Sequence, residues 1–244
     1  MNISFEGKRI LVTGAGQGIG RKLALHLSKY GGQVIALSKT QKNLENLREE
    51  DSRIQIICVD LNDWNNSRKA VESILPIDLL VNNAGVARLN SFFDVTPEDF
   101  DLTFAVNVRA IVNISQIVAK NMVERKVAGS IVNLSSQASQ AALKDHSVYC
   151  ASKGAVDMLS KTMALELGPH NIRVNTINPT VIMTEMGKLG WKEPEKARTM
   201  LSKIPLGRFG EVSEVIDAIV FLLSDHSSMI NGVTLPVDGG FLAT

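Results

Sequence analysis

Short β-branched and aliphatic runs alternate along this chain with longer segments whose apolar positions repeat at helical spacing. Arg9–Thr13 (RILVT), Gln33–Ser38 (QVIALS), Ile54–Val59, Asp78–Asn82 (DLLVN), Ser130–Ser135, Arg173–Ile177 and Val233–Val237 are predicted strands. Between them, Gln17–Tyr30 sets Ile19, Leu23, Leu25 and Leu27 on a helix. Lys42–Glu50 is a charged helix, and another falls around Asn65–Ile74. Pro97–Val123 covers one or two long helices, His146–Leu167 is a further long one, and Glu211–Leu223 is the last. Strands that are apolar throughout, without alternation, belong to a parallel sheet buried on both faces. Regular β-α alternation with right-handed crossovers then gives an α/β, doubly wound parallel sheet. No internal repeat or linker breaks the pattern, so residues 1–244 form a single domain. Thr180–Arg208 has weak periodicity and carries Gly187, Gly190, Pro194 and Pro205. A segment that long and irregular reads as a lid over a functional site.

Composition narrows the partners. The chain has 244 residues, 45% hydrophobic and 21% charged, with a formal net charge of +1. A domain of that size buries roughly 70–75% of its unfolded surface and needs no disulfide or metal to fold. A near-neutral balance argues against nucleic acid or an anionic membrane as partner. Cys58 and Cys150 are its two cysteines, one in an apolar run and the other beside a candidate catalytic residue. That usage suits a reducing compartment, and the cytoplasm is the expected location. Met1–Arg9 lacks a signal-peptide core, and no run is expected to reach the ~18 apolar residues of a membrane span. His26, His146, His170 and His226 show no ligand spacing, so no metal is expected.

The first strand runs into Thr13-Gly14-Ala15-Gly16-Gln17-Gly18-Ile19-Gly20 and then a helix. Glycines allow the tight turn and bring backbone N–H groups close to a pyrophosphate, while the helix N-terminus adds partial positive charge. In a βαβ frame this is the dinucleotide fingerprint of a Rossmann-like fold, although a glycine-rich turn alone would carry little weight. An acidic residue ending the second strand would hold the 2′-OH of NAD. Ser38-Lys39-Thr40 stands there instead, two hydroxyls and a cation, which suits the 2′-phosphate of NADP. Asp60 and Leu61 end the third strand, where Asp60 meets the adenine amino group or else caps the next helix.

Tyr149 and Lys153 are four residues apart on a predicted helix and share a face. Free tyrosine titrates near ~10, but a neighbouring ammonium, together with the positive charge of an oxidised nicotinamide, favours the phenolate, so Tyr149 is expected to exchange a proton near neutral pH. Ser136 ends the fifth strand, where a hydroxyl can hydrogen-bond a substrate oxygen as charge develops on it. Asn107 is a poor helix former among apolar neighbours. Its functional reading is a kink whose freed carbonyl holds a water near Lys153.

Jointly these motifs resemble the short-chain dehydrogenase/reductase superfamily across the whole chain. The marks are Thr13–Gly20, Asn82–Gly85 (NNAG), Asn107, Ser136, Tyr149-Cys150-Ala151-Ser152-Lys153 and Asn178-Pro179. The resemblance implies an NADP(H)-dependent oxidoreductase with a tetrad of Asn107, Ser136, Tyr149 and Lys153. It implies that Lys153 also binds the nicotinamide ribose, that Asn83, Ala84 and Gly85 run past the adenosine ribose, and that Pro179, Val181, Ile182 and Thr184 hold the carboxamide. Ser38–Thr40, Cys58–Trp64, His146–Cys150, Asn178–Met183 and Pro205–Gly207 are similar to a homotetramer-forming subgroup. That likeness implies reduction of L-xylulose to xylitol, and of α-dicarbonyls such as diacetyl, with NADPH. Many NADP enzymes carry a basic residue inside the glycine loop. Gln17 is neutral, which leaves Lys39 to carry the 2′-phosphate preference.

A sugar needs convergent donors and acceptors. Gln137, His146 and Trp191 are the candidates beside Ser136 and Tyr149, though Trp191 could instead pack the lid. A broad carbonyl or ketoacyl reductase is the alternative, and a nucleotide-binding protein without catalysis is the second. A ketoacyl reductase would dock an acidic carrier, but Lys120, Arg125 and Lys126 more simply complement a helix C-terminus. The helix Val148–Leu167 is apolar on more than one face (Val156, Met158, Leu159, Met163, Leu165), which calls for a partner subunit.

Overall fold

The apolar runs become seven parallel strands in a computed structural model that describes residues 3–184, 187 and 191–243. They are β1 (Arg9–Thr13), β2 (Gln33–Ser38), β3 (Gln55–Cys58), β4 (Leu79–Asn82), β5 (Gly129–Leu134), β6 (Ile172–Pro179) and β7 (Thr234–Val237). The order β3-β2-β1-β4-β5-β6-β7 is that of a doubly wound, Rossmann-like sheet. The helices α1 (Gly18–Lys29), α2 (Gln41–Glu50), α3 (Trp64–Glu72), α4 (Pro97–Phe104), α5 (Ala110–Arg125), α6 (Ser147–Leu167), α7 (Pro194–Leu201) and α8 (Val212–Leu223) complete it. Two cores result, one on each face of the sheet. Leu23, Leu27, Leu44, Ile216 and Ile219 cover one, and Val71, Ile114, Val118 and Ala164 the other.

Three features depart from or sharpen the sequence expectation. The long helical run is broken at Ala105–Arg109 by a π-helical segment. Pro97–Arg125 as a whole spans 29 residues, with mean hydropathy 1.4 in its most apolar window, so a run of membrane-spanning length does exist, contrary to expectation. It is a core helix, 67% of that window lying inside the protein. Within Thr180–Arg208, weak periodicity concealed α7, which buries only Met200. Residues 185, 186 and 188–190, Gly190 among them, lie outside the described residues.

A polar pair crosses the apolar sheet. Asn82 and Asn133 are register partners on β4 and β5. Asn82 Nδ2 donates to Asn133 Oδ1 at 2.8 Å and to Ser115 Oγ on α5 at 3.0 Å, and Asn133 Nδ2 donates to Ser160 Oγ on α6 at 2.8 Å. Buried amides are tolerated only when so satisfied.

Candidate active site

Parallel strands turn their C-terminal ends to one edge, and the chain reverses direction across the sheet between β1 and β4. A crevice opens at such a switch point. The glycine loop follows β1, Asn83–Gly85 follows β4, and Ser136-Gln137 follows β5. Gly14 sits at φ +65°, and a Cβ there would lie 2.8 Å from the Ala84 Cα, so no other residue fits without moving backbone. Asn83 Nδ2 donates to the carbonyls of Thr13 (3.0 Å) and Gly14 (3.2 Å), and Thr13 Oγ1 accepts the N–H groups of Asn83 and Ala84, each at 3.1 Å. A Cβ at Gly20 would run into Asn83 Nδ2. Gln17, at the N-cap of α1, makes no side-chain cap, and the first turn, with Gly18, Ile19 and Gly20, holds no acid. Those N–H groups and the helix dipole suit a pyrophosphate.

Ser38 ends β2 beside the glycine loop, and Asp60 and Leu61 follow β3. Ser38 Oγ approaches within 2.7 Å of where a Gly16 Cβ would stand, so glycine there lets β2 close onto the loop. Lys39 and Thr40 are exposed beyond it. Asp60 accepts the Asn62 N–H at 2.9 Å. The cap of α3 is Asp63, which accepts from Asn66, so the helix-cap alternative for Asp60 is not realised. Leu61 is buried in the second core. Pro179 ends β6. Val181 and Ile182 pair with Gly210, and Thr184 brings its methyl 3.6 Å from the Cβ position of Gly18.

Tyr149 and Lys153 come together as the spacing predicts, with Lys153 Nζ 5.7 Å from the phenol ring centroid. Lys153 is buried, and its Nζ donates to the Leu134 carbonyl, the last of β5, at 2.7 Å. Burial pulls its pKa from 10.5 down to about 8, against the opposing pull of the Asp157 carboxylate. In the chain alone the Tyr149 pKa is raised rather than lowered. Burial pushes the phenol up, and its hydrogen bond with the Ser136 hydroxyl only partly offsets this. Desolvation of the phenolate wins because the ammonium is directed at a backbone carbonyl. Tyr149 therefore holds its proton at neutral pH.

Ser136 Oγ accepts the Ala138 N–H at 3.1 Å, capping a one-turn 3₁₀ helix over Gln137–Ser139. Asn107 lies in the π-helical segment, a distortion that often marks functional positions. Its Oδ1 accepts the Val86 N–H at 2.8 Å, and its Nδ2 donates to the Val86 carbonyl at 2.9 Å and to Ser152 Oγ at 3.0 Å. A Cβ at Gly85 would lie 3.4 Å from Asn107 Oδ1 and 3.6 Å from Lys153 Nζ, so glycine keeps the space between them open.

Of the three substrate candidates, Gln137 is buried beside Ser136, with an Oε1 that has no hydrogen-bond partner. His146 precedes α6; its Nδ1 lies against the Lys144 carbonyl, and its ring meets Tyr149 edge-on at 6.2 Å between centroids. Trp191 packs. It meets Phe209 at 5.5 Å, carries Lys196 Nζ over its ring at 5.0 Å, and joins Leu143, Val181 and Met200 in a small third core. Three residues beside this set escaped sequence reasoning: Ser152, Asp157 and Asn178 in its hydrogen-bonding role. The signal was there for Asp157, a carboxylate one helical turn from Lys153.

A family model described as "Enoyl-(Acyl carrier protein) reductase" matches residues 14–242. The chain is 57% identical to the "L-xylulose reductase" of Mesocricetus auratus over 244 residues, all of both chains. It is 54% identical to the "D-erythrulose reductase" of Gallus gallus over 243 residues, covering 100% of this chain and 99% of that one. Among solved structures it is similar to a gluconate 5-dehydrogenase from Burkholderia cenocepacia in complex with NADP and tartrate. The TM-score is 0.92 at 31% identity, covering 99% of this chain and 97% of the other.

Proposed function

Because the chain belongs to the short-chain dehydrogenase/reductase family, we propose that it is an NADPH-dependent reductase of L-xylulose, giving xylitol, and of small α-dicarbonyls. The observation that carries the reading is the half-buried phenol of Tyr149, hydrogen-bonded to the Ser136 hydroxyl and with Lys153 Nζ 5.7 Å from its ring centroid. NADPH, when bound, supplies the hydride to the carbonyl carbon. Tyr149 gives its proton to the carbonyl oxygen, and Ser136 donates a hydrogen bond to the same oxygen as negative charge gathers there. Lys153, charged below about pH 8, keeps a positive charge 5.7 Å from the ring of the phenolate left behind. Asn107 holds Val86 and Ser152 in place, and with them the wall between Gly85 and Lys153.

Cofactor binding falls to the uncapped start of α1, to Asn83–Gly85, Asp60 and Leu61, and to Pro179–Thr184. Exposed Lys39 meets the 2′-phosphate, since no acid ends β2 to repel it. NADP is also what the bacterial structure contains. The sugar specificity rests on the Gln137 Oε1, which accepts a substrate hydroxyl, and on His146, whose Nδ1 is occupied and whose Nε2 faces outward from that bond. Residues 180–208, with Trp191 and α7, act as the lid. Met158 and Leu165 stand 62% and 78% exposed on α6, which supports a homotetramer buried along that face. Cys58 and Cys150 are free thiols, in keeping with the cytoplasm. Against docking of an acidic acyl carrier, Arg125 is tied to Asp78 at 2.8 Å and Lys120 pairs with Glu124.

The test is NADPH oxidation at neutral pH with L-xylulose, diacetyl and an acetoacetyl thioester, repeated with NADH and with Tyr149→Phe. Turnover of L-xylulose that is weak with NADH and falls by roughly 10²–10⁴-fold in the variant supports the reading. Turnover of the thioester alone replaces the sugar with an acyl substrate. NADPH binding without turnover of any of the three removes the catalytic assignment.

A further inference from the structure

Asp157 follows Lys153 by one helical turn and Tyr149 by two, so all three share one face of α6. It is 8% exposed, an unusual place for a carboxylate unless something uses its charge. Its two oxygens accept from Asn178 Nδ2 at 3.1 and 3.0 Å. The same amide reaches the Ser136 carbonyl at 3.1 Å and Ser139 Oγ at 2.9 Å, and Ser139 Oγ in turn donates to the Ser136 carbonyl at 2.8 Å. Asn178 is itself fully buried at the end of β6. A continuous chain of hydrogen bonds thus runs from α6 through β6 to the backbone of the residue whose hydroxyl faces the phenol.

We propose that Asp157 is a positioning residue for the reaction, fastening the Ser136 turn to the helix that carries Tyr149 and Lys153 by way of Asn178. The geometry explains why a carboxylate is needed. An amide at Asn178 has two hydrogens to place among four acceptors, and a charged, bidentate acceptor fixes their direction better than a hydroxyl or a carbonyl. The turn cannot shift along β6 without breaking that contact. Asp157 has a second effect on the same face, since its charge opposes the loss of the Lys153 proton. The groups near Lys153 from the neighbouring elements are the Leu134 carbonyl at the end of β5, which accepts from its Nζ, the Ser135 hydroxyl, which donates to its backbone carbonyl, and Asn107 of the π-helical segment beside Gly85, all uncharged. On α6 itself the ionisable neighbours are Tyr149 and Asp157.

The inference rests on the reductase reading, and its test separates the two. Asp157→Asn keeps the shape and one acceptor but removes the charge. The expected result is a kcat about tenfold lower on whichever carbonyl the parent reduces, with KM for NADPH nearly unchanged. Alongside it, the Lys153 titration, followed by NMR of ¹³Cε-labelled lysine and assigned with Lys153→Arg, moves to lower pH. That second readout needs no substrate. A parent that reduces none of the tested carbonyls refutes the reductase reading, and the inference that depends on it, even if the Lys153 shift appears. A parent that works, beside a variant whose kcat stays within twofold and whose Lys153 titrates unchanged, overturns the role of Asp157. Asn178→Ala approaches the same turn from the other end and repeats the kcat loss; a kcat unchanged in that variant also overturns the proposal.

Discussion

Burying Lys153 leaves a signature in stability that does not depend on any substrate. Its pKa is 10.5 in the ordinary state and about 8 in the fold. Below about pH 8 both states hold the proton and the contribution to the slope is zero. Between about 8 and 10.5 the unfolded chain holds more protons, so the free energy of unfolding rises with pH by about 1.4 kcal/mol per unit. Summed over that window, the lysine changes stability by about 3 kcal/mol. Lys153→Met removes the titrating group. It also strands the Leu134 carbonyl and leaves Asp157 without its neighbouring charge, but those costs are nearly independent of pH above neutrality and cancel when slopes are compared. Urea unfolding of parent and variant, each without cofactor, between about pH 7 and about 10.5 is the assay. The parent is expected to gain on the variant by about 3 kcal/mol across the window. Parallel curves would refute the claim that the fold depresses this lysine, and with it the assignment of a charge poised to be lost near pH 8.

Three further outcomes follow from the geometry. Gly14→Ala places a Cβ 2.8 Å from the Ala84 Cα at φ +65°; with a left-handed penalty of about 1–2 kcal/mol before any clash, thermal unfolding should show a loss of at least that size and weakened NADPH binding. Lys39→Glu introduces the acid that β2 lacks, and the ratio of kcat/KM for NADPH over NADH should fall by roughly 10–100-fold; an unchanged ratio would remove Lys39 from the 2′-phosphate site. His146→Ala should raise KM for L-xylulose more than for diacetyl, which offers no hydroxyl, and equal changes would exclude His146 as a reader of hydroxyls.

The sheet was legible because strands of a parallel sheet are mostly apolar runs, and all seven appear where expected, although β3 and β7 at its edges are only partly buried. The glycine loop and the Tyr149–Lys153 pair were legible because their spacing is itself the mechanism. What escaped notice depends on the third dimension. Helix α7 buries a single residue, Met200, so periodicity had almost nothing to show. The π-helical segment at Ala105–Arg109 was expected as a kink at Asn107, and its form emerged only with the contacts to Val86 and Ser152. The raised Tyr149 pKa belongs to the chain alone, whereas the sequence argument counted the charge of an oxidised nicotinamide with that of Lys153, and sequence spacing could not show that the Lys153 ammonium is directed at the Leu134 carbonyl. Asn178 stood in a quoted motif, yet its partners Ser136, Ser139 and Asp157 lie 42, 39 and 21 residues away.

An all-apolar parallel sheet has a folding problem that alternating sheets avoid: sliding one strand past its neighbour exposes no polar face and meets little resistance. Asn82 and Asn133 act as a proofreading mark against that error. If β5 slipped by one residue, Val132 or Leu134 would stand opposite Asn82, and Asn133 would turn away from Ser160. Asn133 would then be buried without Asn82 or Ser160 and Asn82 would keep only Ser115, at about 1–3 kcal/mol for each group left unpaired. Misaligned sheets are thereby penalised at the centre of the molecule.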